Sequence, residues 1–70
     1  MFYELRIEDE FGAVSVITFD KDGEKRDELV REEARGFVED RNKGSVAVKQ
    51  AALLRLETIW SVSYKTDPDY

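Results

Sequence analysis

Three groupings of side chains in this 70-residue chain have the types and spacing to do chemistry. The first is Asp20-Lys21-Asp22-Gly23-Glu24, which gathers carboxylates at a turn and resembles part of a calcium-binding loop. An EF-hand loop needs an acid at its first and last positions around an invariant glycine. Aligning Gly23 with that glycine puts Thr18 and Leu29 at those positions, so the loop is not an EF-hand. Weak incidental cation contact by Asp20, Asp22 and Glu24 is the most this spacing offers.

The second grouping centres on Glu33, one helical turn from both Leu29 and Phe37. Desolvation at the margin of an apolar stripe would raise its carboxyl pKa, as an acid catalyst requires. No second carboxylate stands at working distance in the pattern, and the expected arrangement is a Glu33 that reaches solvent or Arg26.

The third grouping interleaves aromatic rings with cations. Trp60 and Tyr64 flank Arg55 and Lys65, with Tyr3 alongside. Such rings could stack on bases while Arg41, Lys43, Lys49, Arg55 and Lys65 track phosphate. The acidic first forty residues oppose that use, and nucleic acid is the alternative partner here rather than the leading one.

Histidine and cysteine are absent. Without them there is no Ser/His/Asp or Cys/His nucleophile system, no imidazole base and none of the usual zinc sites. The four glycines are isolated and form no phosphate cradle. The expectation is therefore a protein that is not an enzyme, with no metal and no cofactor.

The elements that must position these groups follow from periodicity. Leu29, Val30, Ala34, Phe37 and Val38 recur at helical spacing, which predicts one amphipathic helix over 24–42. Its outer face carries Glu28, Arg31, Glu32, Arg35 and Glu39. Asp20 or Asp22 is placed to cap it, and Gly44 to stop it. Gly36 within the helix suggests a close neighbour that needs the space.

Tyr3, Leu5 and Ile7 alternate with Glu4, Arg6 and Glu8, the pattern of a half-buried strand. Gly12 then allows a hairpin turn, with Phe11 expected to fold back over a core edge. Residues 13–19 are apolar on both faces, which predicts a central strand covered on each side. In the last third, two strands near 45–49 and 53–65 are favoured over a second helix, with 50–54 a helical turn or a bend between them. Residues 67–70 read as a frayed tail.

The predicted fold is α+β: an antiparallel sheet of three to four strands with one helix across one face, in the order ββαββ or ββαβ. It forms a single domain over residues 1–66. The longest uncharged run, Phe11 to Phe19, is too short to span a membrane, and the N-terminus lacks the pattern of a signal peptide. A cytoplasmic location is the expectation, and composition would suit a phage or plasmid accessory protein.

Net charge is −5. Residues 1–40 hold thirteen acids and six bases, whereas residues 41–66 hold five bases and one acid. Charge segregation with no catalytic chemistry points to an interaction module. Glu28, Glu32, Glu39 and Asp40 are its candidate contacts for a basic surface on a protein partner.

A covering problem points the same way, because one helix shields only one sheet face. Phe2, Val14, Val16 and Ile59 are expected on the other face, where a second copy related by two-fold symmetry would bury them. A homodimer is therefore favoured. A C-terminal segment folded over that face, or a bulge that mixes the strand faces, is the competing arrangement.

Overall fold

The computed structural model describes residues 1–64. Lys65 and the 67–70 tail fall outside the described residues. The chain forms β1 (Phe2–Asp9), β2 (Val14–Asp20), α1 (Arg26–Asn42), β3 (Val48–Leu54) and β4 (Thr58–Ser63). The strands make one antiparallel sheet in the order β2-β1-β3-β4, and α1 packs on one face. The architecture is thus the expected ββαββ arrangement.

β1 organises the sheet because its alternation is the cleanest in the chain. Tyr3, Leu5 and Ile7 are buried beneath the helix, while Glu4 and Arg6 point out. Leu5 lies opposite Ile17 on one side and Leu53 on the other, at the middle of the core. Val30, Ala34 and Val38 form the buried row of α1 above these strands. Phe37 and Leu29 sit at the helix margin, where the Phe37 ring meets Phe19 edge-on at 5.8 Å between centroids.

The structure corrects several sequence expectations. The 13–19 segment, expected to be central, is the edge strand β2. β1 has only one set of apolar positions to bury, yet both of its margins are used, by β2 and β3, and β2 is left outermost. The last third holds strands at 48–54 and 58–63 rather than 45–49 and 53–65. Pairing with β1 buries Ala51 and Leu53, which a helical turn at 50–54 would not do. Phe11 does not fold back and is 78% exposed, while Asp9 accepts the Phe11 and Ala13 N–H groups to shape the turn.

The start of α1 also differs. Lys25 occupies the N-cap with no side-chain cap bond. Asp20 and Asp22 instead accept from the Met1 ammonium at 3.0 and 2.9 Å. A charged donor holds these carboxylates better than a neutral backbone N–H would. That contact lowers the Asp22 pKa and raises that of the Met1 amine.

Gly36 has no neighbour within 4 Å of where a Cβ would stand, so no close approach requires it. Its only effect is the low helix propensity of glycine. Gly36→Ala is therefore expected to stabilise the protein by about 1 kcal/mol, seen as a higher urea midpoint at unchanged slope. A destabilised variant would mean that the open face of α1 is covered.

Candidate functional site

With α1 on one face, no other element among the described residues covers the second face of the sheet, and the strand register decides what it presents. β1 contributes Glu4, Arg6 and Glu8 in alternating sign, lying opposite Thr18, Val16 and Val14 of β2. On the far side stand Leu54, Ala52 and Gln50 of β3, followed by Thr58, Ser61 and Ser63 of β4. Arg6 donates to Glu4 at 3.1 Å through Nη2, and Gln50 donates to Glu8 at 2.6 Å. These ties hold the central polar row in place. An open concavity of about 470 Å³ lies over this face, lined by Arg6, Glu8, Val14, Gln50, Leu54 and Ser61 among others.

The large apolar side chains most exposed on this face are Phe2 of β1 and Val14 and Val16 of β2, while Ala52 and Leu54 of β3 are half-buried. Phe2, Val14 and Val16 are 68%, 60% and 53% exposed. Ile59, expected beside them, is half-buried and packs against the core instead. The register shift between Leu53 and Leu54 makes Ile59 the extra residue of a bulge, because Leu53 faces Trp60 while Leu54 faces Thr58. The outer face is accordingly mixed, with charged and hydroxyl groups over most of it, and not the continuous apolar sheet the alternation suggested.

A second polar cluster sits beneath the start of α1. The buried Tyr3 donates its hydroxyl to Asp27, with Arg26 and Arg55 nearby. Arg26 donates to the Gly23 carbonyl, Arg55 reaches the Met1 sulfur, and the Nε of each arginine has no partner among the described residues. Burial, and then the bond to Asp27, raise the Tyr3 phenol above the ordinary tyrosine value. The folded state thus keeps this proton more firmly than the unfolded chain does. The resulting stability is complete below about pH 10 and is lost as pH rises through the folded value. In alkaline denaturation profiles, Tyr3→Phe should flatten the fall above about pH 10 relative to the parent. Parallel profiles would show that Tyr3 is not held by Asp27.

The acidic residues of α1 make a less uniform surface than expected. Glu28, Glu32, Glu39 and Asp40 are all exposed, but Glu32 pairs with Arg35 at 2.9 Å. Residues 26–42 hold six acids and four bases, so the helix nets only −2. Glu33 pairs with Lys21 at 2.6 Å, not with Arg26. Among the described residues no group of three or more acidic side chains could hold a metal ion.

Among the described residues the candidate cations do not form one cluster. Arg41 donates to Ser15 near the start of β2, and Lys43 follows at the end of α1. Arg55 lies at the opposite end, beside Met1. Lys49 is exposed on β3. Trp60 and Tyr64 are half-buried and packed on the core, so neither ring is offered as a stacking platform.

Sequence reasoning missed the polar row of the outer face. The phase of β1 marked Glu4, Arg6 and Glu8 as outward. Their meeting with Gln50 and Ser61 depends on β3 and β4 pairing across the centre, which no local pattern encodes. No helix among the described residues is long and apolar enough to cross a membrane. No protein-family model matches the chain, and comparison with curated proteins and with solved structures finds none similar enough to inform its function.

Proposed function

We propose that this chain is a non-catalytic interaction module that binds a protein partner through the open face of its sheet and also self-associates. One observation carries the reading: Val14 and Val16 stand exposed beside the ordered row Glu4, Arg6, Glu8, with Phe2 exposed at the other end of the same face. An apolar patch rimmed by fixed charges of both signs is the composition of a protein-docking surface. The lack of histidine and cysteine supports a role without catalysis. The helix face of Glu28, Glu32, Glu39 and Asp40 is a lesser contact, because its near-balanced charge gives little steering.

Nucleic acid is the weaker candidate on the same geometry. Arg41 and Arg55 lie at opposite ends of the domain, and the Trp60 and Tyr64 rings face the core.

The test is site-specific photo-crosslinking in extracts of cells that express the protein. The crosslinker is placed at Ala52 on the open face and, as a comparison, at Glu28 on the helix. Discrete protein adducts are expected from Ala52 and few from Glu28. Adducts to nucleic acid, or none from Ala52, would overturn the reading.

A further inference from the structure

We propose that the edge of β2 pairs antiparallel with β2 of a second copy, joining two four-stranded sheets into one across a two-fold axis. The inference rests on the interaction-module reading and supplies its self-association contact. It starts from a rule of sheet edges: an outermost strand exposes unpaired N–H and C=O groups and is normally blunted by charge, proline, a bulge or a cover. Apart from the charge of Asp20 at its end, β2 has none of the first three. Residues 14–19, Val-Ser-Val-Ile-Thr-Phe, carry no charge and no proline, and the register against β1 runs without a shift from Val14 to Asp20. β4, the other edge, is interrupted by its bulge at Ile59 and is the poorer template.

The ladder phase identifies which groups are free. Lys21 donates to the Met1 carbonyl and Asp9 to the Ala13 carbonyl. In an antiparallel pair the bonded positions alternate. The odd-numbered residues of β2 therefore turn their backbone groups toward β1. Val14, Val16, Thr18 and Asp20 turn theirs toward the edge.

A two-fold axis through Ile17 uses all four. It sets Val16 against Thr18 of the second copy and Val14 against Asp20, with Ile17 against Ile17 on the helix side. No pair in this register places like charges face to face, so the strand is complementary to itself.

The flanking side chains agree in sign. Glu33 and Lys21 stand at the Phe19 end of β2, and Arg41 stands at the Ser15 end with Asp40 beside it in sequence. The antiparallel axis brings one end of one copy to the other end of its mate. Arg41 then approaches Glu33 of the second copy, and Lys21 approaches Asp40.

Two double variants test the register. Val16→Glu with Thr18→Lys puts opposite charges across the proposed axis, and within one chain it also sets Glu against Arg6 and Lys against Glu4. Val16→Glu with Thr18→Glu puts like charges across the axis. Sedimentation equilibrium of the full chain is expected to show a parent dimer with a micromolar dissociation constant. The opposite-charge variant should stay within about threefold of the parent, and the like-charge variant should weaken at least about tenfold. Circular dichroism checks that each variant is folded, and the mixed-charge variant serves as the folded control.

A parent that is monomeric at millimolar concentration would overturn the proposal, as would two variants that dimerise alike. Neither outcome bears on the adducts from Ala52, which test the open face separately.

Discussion

Leu5→Ala is expected to lower stability by about 2–5 kcal/mol, the usual range for truncating a fully buried leucine. Leu5 is 0% exposed and lies between Ile17 and Leu53, so the cavity would open where two strand pairs meet under the helix. A domain of this size has only about 5 kcal/mol or little more to lose. The variant should therefore be largely unfolded at room temperature, or melt far below the parent by circular dichroism. Leu56→Ala is the comparison, because Leu56 is exposed in the β3–β4 turn and its loss should stay within about 0.5 kcal/mol. Equal effects at the two positions would show that β1 is not the centre of the core.

The second large effect is expected at Ala34. It is fully buried between Val30 and Val38 on the row of α1 that meets the sheet. A small residue there sets how closely the helix approaches. Ala34→Leu forces three extra carbons into that contact and should cost about 1–3 kcal/mol, with altered near-ultraviolet signal from Trp60 and Phe19 if the helix lifts. The same helix thus gives opposite signs two residues apart, since Gly36→Ala on the open side stabilises. A harmless Ala34→Leu would place the packed row elsewhere on the cylinder.

Local pattern was enough for the elements whose partners lie nearby. β1 could be read because its alternation is unbroken, and α1 because Val30, Ala34 and Val38 repeat at one helical spacing. β2 was misplaced for a physical reason. Its Val14 and Val16 look like residues that demand cover, but a sheet gives its central places to strands with two bonded margins, and β1 took that place. The last third was harder still. Gln50 to Leu54 has no periodicity that separates strand from helix, and only the far-off Leu5 and Ile7 decide it.

The open face shows the same limit. Its members Phe2, Val14 and Val16 are visible in the sequence, and its members on β3 and β4, both the polar ones and Ala52 and Leu54, are not. Ile59 was assigned outward because alternation was carried through a position where the ladder slips by one residue. The cap at the start of α1 failed differently: Asp20 and Asp22 had a charged competitor in Met1, far away in sequence and adjacent in space.

The chain order of the central pair has a consequence for how the protein is made. Among the described elements β1 is made just before β2 and closes with it over a short turn, but the strand for its other margin is β3, which follows only after α1. Until β3 is made, Leu5 and Ile7 belong to a hairpin with one unpaired side, and the helix has only half a floor to settle on. Loop-closure entropy makes the late β1–β3 contact the slow one. Until Val48–Leu54 pair with it, that margin of β1 is an unpaired strand edge.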